Sequence, residues 1–351
     1  MLHFLVTNRE ILKDKTGAEY IEEDGLDTAG EPDERIRFAV FDSDKFKTSG
    51  STRSSINLFP DGNVDEIAKE ISIGEGDLLC YIHGFHTDFK GTLKDICALE
   101  KKYIHDNSPI KHIIAITWPA RKYIWGYDDD ARDAELSGET FARSYPLLKQ
   151  FFSVLTGHQQ ETTGVKKENI HLLAHSMGNR MLLHMIDRLV SEKDFIPHLI
   201  FKEVILAASD VDWNVFESPY AFSKLCSLCE RVTVYHHQHD AALFLSERVK
   251  NKSKRLGRYG LRDMANIPQN VYSVDCSDVS AEGSVIEKII DHAYFHTCHH
   301  TVNDIVHVLN GRTTEYFVSE SLRIIKGDDE RRCRIKKISE RQISYQLKNL
   351  L

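Results

Sequence analysis

A serine that could act as a nucleophile follows an apolar stretch near the middle of the chain. Residues 169–178 read Asn-Ile-His-Leu-Leu-Ala-His-Ser-Met-Gly, and apolar residues recur at helical spacing after them. A strand that turns sharply into a helix at such a serine forms a nucleophile elbow. This turn exposes the Ser176 hydroxyl and points the backbone N–H of Met177 at a developing oxyanion. Ala174 replaces the usual first glycine, but alanine is also small and Gly178 is kept. The pattern therefore still predicts that Ser176 attacks a carbonyl carbon.

A general base and an orienting acid have to accompany the serine, because a neutral hydroxyl is a weak nucleophile. In chains with this elbow, the acid and then the histidine follow the serine, each on a loop after a later strand. Asp240 follows the apolar stretch Arg231–His237, and His292 comes after the stretch Val271–Val274. We therefore expect Asp240 to be the acid and His292 to be the base for Ser176.

Two other residues compete for these roles. Asp210 follows the strand predicted ahead of the one that leads to Asp240, and some hydrolases place the acid there. His296 lies close to His292 on the same segment and is the alternative base. Asp240 also has an alternative role as the N-cap of a helix that begins at Ala241.

A second backbone donor for the oxyanion is expected from a loop ahead of the elbow. Residues 81–89 read Tyr-Ile-His-Gly-Phe-His-Thr-Asp-Phe, so that His83 and Gly84 follow an apolar strand. Gly84 lets the backbone bend close to the serine, and the amide of Phe85 can then face the same oxygen as the amide of Met177. Phe85 and Met177 are therefore the predicted oxyanion hole.

The elements that must position these residues alternate between strand-like and helix-like segments. This alternation is typical of an α/β fold with a mainly parallel central sheet and helices on both faces. Continuous apolar runs in the middle strands indicate that both faces of the sheet are buried. The predicted strands are Leu2–Thr7, Ile36–Phe41, Leu78–His83, His112–Trp118, Ile170–His175, Glu203–Ala208, Val232–His237 and Val271–Val274. The predicted helices cover residues 64–72, 90–105, 133–155, 178–192, 241–250 and 301–310.

The pattern divides the chain into one domain over residues 1–310 and a C-terminal extension over residues 311–351. The extension is rich in lysine and arginine between residues 323 and 341, which predicts a solvated segment. Its alternative role is contact with a protein partner or a second copy of the chain. Residues 119–138 mix aromatic and charged side chains, and they form either a lid over a pocket or a long surface loop.

Composition excludes several classes of protein. The chain has 351 residues, and a hydrophobic fraction of 41% is enough for a proper core. A net charge of −8 argues against a general nucleic-acid binder, which is usually basic. The apolar N-terminus is too short for a signal peptide, and no stretch is long enough to span a membrane. Seven cysteines, an odd number, fit reduced thiols, so we expect a cytoplasmic protein.

Two rival interpretations start from other features of the sequence. Histidines and cysteines are dense, but they lack the fixed spacing of a zinc site, so we expect no metal and no cofactor. These residues are His236, His237, His239, His296, Cys298, His299 and His300, with the pair Cys226 and Cys229. A fold of this kind could also bind a ligand or partner without catalysis. The presence of Ser176, Asp240 and His292 together disfavours that interpretation.

The motifs resemble a bacterial esterase/lipase-like family of the alpha/beta-hydrolase superfamily whose members are described as alpha/beta hydrolases of unknown function. The likeness covers about residues 1–310 and rests on Val6–Arg9, His83–Phe85, Trp118–Pro119, Gly126–Tyr127, Ala174–Arg180, Asp240–Leu243 with Ser246, Arg255–Gly257 and His292–Phe295. The resemblance implies an alpha/beta-hydrolase fold with Ser176 as nucleophile, Asp240 as acid and His292 as base.

The expected substrate is a small-molecule or lipid acyl ester, including thioesters. Ester leaving groups need little protonation, so a plain catalytic triad with two backbone donors is sufficient for them. Amidase or peptidase activity is the alternative within the enzyme class.

Overall fold

A computed structural model of the chain describes residues 1–21, 32–59, 64, 76–120, 126–156, 168–192, 195–279 and 292–337. Within these residues the strands are β1 (Leu2–Thr7), β2 (Ile11–Lys13), β3 (Glu19–Ile21), β4 (Arg37–Asp42), β5 (Ile56–Phe59), β6 (Asp77–Ile82), β7 (Ile110–Thr117), β8 (Ile170–His175), β9 (Phe201–Ala207), β10 (Cys229–His236), β11 (Val271–Asp275), β12 (Arg323–Ile325) and β13 (Arg332–Ile335). The α-helices are α1 (Ser43–Ser49), α2 (Phe89–Tyr103), α3 (Tyr127–Arg143), α4 (Tyr145–Leu155), α5 (Gly178–Val190), α6 (Phe222–Leu225), α7 (Ala241–Leu245), α8 (Leu256–Tyr259), α9 (Tyr294–Thr297), α10 (His299–Leu309) and α11 (Thr314–Ser319). A 3-10 turn spans Arg53–Ser55, and a π-helical turn spans Ser246–Asn251.

A large sheet runs through the described part of the chain, with the strand order β12-β13-β11-β10-β9-β8-β6-β7-β1-β4-β5. All neighbouring pairs from β13 to β1 are parallel, and antiparallel pairs join β1 to β4, β4 to β5 and β12 to β13. The carboxyl ends of parallel strands meet at one edge of a sheet. The loops that follow β6, β8, β9 and β10 therefore converge, and these loops carry the predicted site residues except His292 and His296, which come after β11.

Apolar layers lie on both faces of the sheet. Successive residues of a strand point to opposite faces, so Leu172 of β8 packs in one layer and Leu173 in the other. Met181 of α5 belongs to the first layer, and Leu93 of α2 belongs to the second. All four side chains are buried, which is why the middle strands are continuously apolar. The predicted α/β fold, with a mainly parallel sheet between helices, is confirmed.

Several element boundaries differ from the prediction. The helix expected over residues 133–155 is two helices, α3 and α4, which meet at Ser144. Pro146 explains the break, because proline lacks the backbone N–H that α3 would need to continue through it, whereas proline is well tolerated in the first turn of a new helix. The helix expected over residues 241–250 changes to a π-helical turn at Ser246. The helix expected over residues 64–72 lies outside the described residues except for residue 64.

Part of the segment 119–138 is helical. Residues 127–138 form the first part of α3, which begins six residues before the predicted start, so a surface loop is the wrong description for them. Ala131 and Ala134 are buried, and α3 packs along α5. Gly138 permits this packing, because a Cβ there would lie 2.5 Å from the carbonyl oxygen of Met181. A lid function for this helix stays a prediction.

The C-terminal residues up to 337 add strands to the main sheet. Strand β13 pairs with β11 in parallel, and β12 forms the outer edge. Arg323 makes a buried ion pair with Asp304 of α10, at 2.8 Å between Nε and Oδ1. The division of the chain at residue 310 stays a prediction, but the residues described beyond it are packed against the sheet.

Candidate active site

The turn between β8 and α5 places Ser176 at the carboxyl edge of the sheet. Ser176 has a φ of 52°, a left-handed backbone conformation that residues with a Cβ seldom adopt. Gly178 allows the close approach of the next segment, because a Cβ there would lie 2.5 Å from the carbonyl oxygen of His83. The Asn179 side chain donates to the carbonyl oxygens of Ala174 and Ser176, at 3.0 and 3.1 Å. The sharp, strained strand-to-helix turn is the geometry of a nucleophile elbow.

The structure brings Ser176, His292 and Asp240 into one hydrogen-bonded row. Ser176 Oγ lies 2.8 Å from His292 Nε2, and Asp240 Oδ2 lies 2.7 Å from His292 Nδ1. A carboxylate can only accept, so Nδ1 carries a proton and Nε2 can accept from the serine hydroxyl. Asp240 is fully buried, whereas 17% of the His292 side chain is exposed. The row has the contacts needed to remove a proton from the serine and to stabilise the resulting imidazolium.

Asp240 makes both of the contacts that its sequence position suggested. It is the N-cap of α7, where its Oδ1 accepts a hydrogen bond of 2.9 Å from the backbone N–H of Leu243. Its other oxygen, Oδ2, accepts from His292. The helix therefore fixes the carboxylate that orients the imidazole.

The electrostatic environment favours the protonated form of His292. Burial alone would lower the pKa of His292, but the charge of Asp240 and the hydrogen bond to it act in the opposite direction. The charge of Asp210 adds to the same effect, and the pKa of His292 lies above its ordinary value. The imidazole is thereby suited to accept a proton from the serine.

Asp210, the alternative acid, has other partners. Its Oδ1 accepts from Arg255 Nε at 2.9 Å and from Ser246 Oγ at 2.7 Å, and its Oδ2 accepts from the Tyr127 hydroxyl at 2.6 Å. Burial would raise the pKa of Asp210, but Arg255 and these hydrogen bonds outweigh it, and the pKa is lowered. The backbone N–H of Asp210 donates to the carbonyl oxygen of Ser176 at 3.1 Å. Asp210 therefore supports the elbow, while Asp240 contacts the histidine.

His296, the alternative base, lies in α9, one turn beyond His292. Its ring packs edge-on against Phe295, with ring centroids 4.6 Å apart. His292 is the histidine that contacts both Ser176 and Asp240.

The two predicted oxyanion donors lie on segments that touch at the serine. A Cβ on Gly84 would lie 2.8 Å from the Cβ of Ser176, so the loop that carries Phe85 passes against the serine as closely as glycine permits. Met177 follows the serine directly and is the N-cap of α5. This is the placement that an oxyanion hole made of the Phe85 and Met177 amides requires.

Sequence reasoning gave no role to two further residues near the row. His175 Nε2 lies 3.2 Å from the carbonyl oxygen of His292, so this ring donates to the backbone of the base. Burial, together with the charges of His292 and His296, holds the pKa of His175 well below its ordinary value, and the ring is neutral. Tyr127 packs against Phe85, with ring centroids 5.7 Å apart, and donates to Asp210. These contacts join residues that are far apart in the chain, so no local sequence pattern predicts them.

The dense histidines and cysteines do not assemble into a metal centre in the described part of the chain. No cluster of three or more histidine, cysteine, aspartate or glutamate side chains there could hold a metal ion. Cys226 and Cys229 donate to the carbonyl oxygens of Phe222 and Leu225, at 3.4 and 3.5 Å. Among the described residues, every helix is too short or too polar to cross a bilayer.

The fold and the elbow define an alpha/beta hydrolase, and comparison with family models gives the same result. Residues 61–309 match the model of the family described as alpha/beta hydrolase of unknown function (DUF900). This match spans more than half of the chain, so the protein belongs to that family. The resemblance found in the sequence is thus confirmed. No curated protein matches the chain significantly.

Proposed function

We propose that this protein is a serine hydrolase that cleaves carboxylic ester bonds through an acyl-enzyme on Ser176. The activity is of the esterase, lipase or thioesterase type. The observation that carries the proposal is the row Ser176–His292–Asp240, with contacts of 2.8 and 2.7 Å. Membership of an alpha/beta-hydrolase family supports hydrolase chemistry in general. The row adds a nucleophile, a base and an acid in the order that acyl transfer needs.

Acylation begins when the Ser176 hydroxyl attacks the ester carbonyl carbon and passes its proton to His292 Nε2. The carbonyl oxygen becomes an oxyanion, which accepts hydrogen bonds from the backbone amides of Phe85 and Met177. Collapse of the tetrahedral intermediate breaks the bond to the alcohol, or to the thiol of a thioester. His292 gives the leaving group its proton, and Asp240 stabilises the imidazolium in the meantime.

Deacylation repeats these steps with water as the nucleophile. His292 takes a proton from the water molecule, which attacks the acyl carbon bound to Ser176. The acid is released, and the serine recovers its proton from His292. An ester suits this site because an alkoxide leaving group needs less protonation than an amine.

The proposal predicts measurable hydrolysis of short acyl nitrophenyl esters by the purified chain. Replacing Ser176 by alanine removes the nucleophile, and in comparable triads this costs about a million-fold in kcat. We expect Ser176→Ala to fall to the background rate in a spectrophotometric assay, with an unchanged circular dichroism spectrum.

Ser209→Ala is the matched control, because Ser209 is a buried serine just beyond β9 and lies outside the row. It should keep the wild-type rate within a few-fold. A panel with oxygen esters, thioesters and the matching anilide separates ester hydrolysis from amidase activity. A wild type that cleaves none of these would favour a fold that binds ligand without catalysis, and would contradict the proposal.

A further inference from the structure

Two segments that the proposed chemistry does not use lie against the loop that carries Phe85. They are Val6–Arg9 at the end of β1 and Trp118–Pro119 at the end of β7. Arg9 is 2% exposed. Its Nε donates to Thr117 Oγ1 and its Nη2 donates to the carbonyl oxygen of Thr87, both at 3.0 Å. A buried guanidinium thus bridges the end of β7 and the far end of the Phe85 loop.

The ring of His83 links the end of β7 to the near end of that loop. The backbone N–H of Trp118 donates to His83 Nε2 at 3.2 Å, so this nitrogen is an acceptor. The Thr117 hydroxyl, which accepts from Arg9, lies 3.1 Å from the same nitrogen. The proton of the neutral ring is therefore on Nδ1, which donates to the carbonyl oxygen of Gly84 at 3.0 Å.

The bond to Gly84 acts on the peptide unit that contains the predicted oxyanion donor. The carbonyl of Gly84 and the N–H of Phe85 belong to the same planar group, and in a trans peptide they point in opposite directions. A hydrogen bond that fixes the carbonyl also fixes the direction of the N–H. Hydrogen bonds in series polarise one another, so the same contact makes the Phe85 amide a stronger donor.

The charge state of His83 fits this arrangement. Burial, followed by the charge of Arg9, lowers the pKa of His83 to about 3. The ring stays neutral across the physiological range and keeps an acceptor on Nε2. Its face stacks on the Trp118 ring, with the ring centroids 5.1 Å apart and an angle of 8° between the two ring planes.

We propose that Arg9 and His83 are positioning residues that fix the Gly84–Phe85 peptide, so that its N–H faces the oxygen of the reacting carbonyl. Arg9 holds the Thr87 end of the loop, and His83 holds the Gly84 end. The inference rests on the proposed function, because it concerns the oxyanion of acyl transfer.

Paired substitutions test the proposal in the full chain. His83→Leu removes the donor to Gly84, whereas His83→Asn offers an amide N–H in its place. A displacement of about 1 Å in a reacting group can cost about a hundred-fold in rate. We expect His83→Leu to lower kcat for a nitrophenyl ester roughly a hundred-fold at unchanged KM. His83→Asn should recover most of this loss.

Arg9→Met should lower kcat in the same way, and Arg323→Met is its control. Arg323 is buried as well and forms an ion pair with Asp304, but it lies on β12 at the edge of the sheet. Both variants should lose thermal stability, yet only Arg9→Met should lose kcat.

Affinity for a trifluoromethyl ketone, which forms an oxyanion on the serine, should fall with kcat/KM in Arg9→Met and His83→Leu. Equal kcat in wild type, Arg9→Met and His83→Leu would overturn the proposal.

The crystal structure of His83→Leu tests positioning without any assay of activity. We expect the Gly84–Phe85 peptide to rotate out of the plane that it has beside His83. An unchanged orientation of this peptide would overturn the positioning role of His83, even if the enzyme is an esterase. A wild type that hydrolyses no ester would contradict the proposed function. A rotated Gly84–Phe85 peptide in His83→Leu would still support the positioning role of His83.

Discussion

Hydrogen bonds that Asp240 accepts orient the histidine that contacts Ser176. One oxygen of this carboxylate caps α7 and the other holds Nδ1 of His292, so the imidazole presents Nε2 to the serine. The placement of Ser176, Asp240 and His292 in one row could be predicted from the sequence, because the elbow and the strand order determine where these residues lie. The support from His175 could not be predicted, since its partner is a backbone carbonyl more than a hundred residues away.

A pH titration tests the link between Asp240 and His292. The base has to be neutral, so kcat/KM should rise with pH through the raised pKa of His292. Asp240→Asn removes the negative charge, and we expect the pKa of His292, followed by NMR of its ring, to move to lower pH. In comparable triads such a change also lowers kcat about 10⁴-fold.

Asp212→Asn is the control, because Asp212 is half-exposed and pairs with Arg255. It should leave the titration of His292 in place. A pKa of His292 that is equal in wild type and Asp240→Asn would refute the electrostatic account.

Parallel strands carry the site residues to one edge of the sheet. The elements that do so, β6, β8 and β10, could be predicted because their apolar runs are long and buried on both faces. Strands β12 and β13 could not, because they have only three and four residues and both contain arginine. Their place beside β11 depends on tertiary contacts such as that between Arg334 and Asp275, at 2.8 Å.

The close packing at the elbow predicts the effect of enlarging Gly178. A methyl group there would meet the carbonyl oxygens of His83 and Ile82 at 2.5 and 2.8 Å. Gly178→Ala should therefore displace the start of α5, abolish ester hydrolysis and lower the free energy of unfolding. Gly50→Ala is the control, since Gly50 has a positive φ of 66° but open space around it. That variant should lose about 1 kcal/mol of stability and no activity, and equal activity losses would contradict the packing argument.

The whole molecule buries several histidines in their neutral form. Burial lowers the pKa of His83 to about 3 and that of His236 to about 4. Unfolded histidines bind protons below about pH 6.5, whereas these two stay neutral in the folded chain. The unfolded state therefore gains protons first, and stability is lost as pH falls. His292, with its raised pKa, acts in the opposite direction but is a single group among them.

Urea unfolding at pH 7, 6 and 5 tests this prediction. Each histidine that stays neutral contributes a slope of up to about 1.4 kcal/mol per pH unit below its unfolded pKa. We expect the free energy of unfolding to fall between pH 7 and pH 5. His236→Asn should flatten the slope, and a free energy that stays constant or increases toward pH 5 would be incompatible with neutral buried histidines.

Covalent labelling of the serine is the most direct test of the central claim. A fluorophosphonate probe reacts with a serine that a base has activated, and it leaves a phosphonyl group on that residue. We predict stoichiometric labelling of the folded wild type, with the adduct on Ser176 in the tryptic peptide by mass spectrometry. Ser176→Ala should not be labelled, and Ser209→Ala should be labelled like the wild type. A folded wild type that stays unlabelled, or an adduct on another serine, would contradict the account.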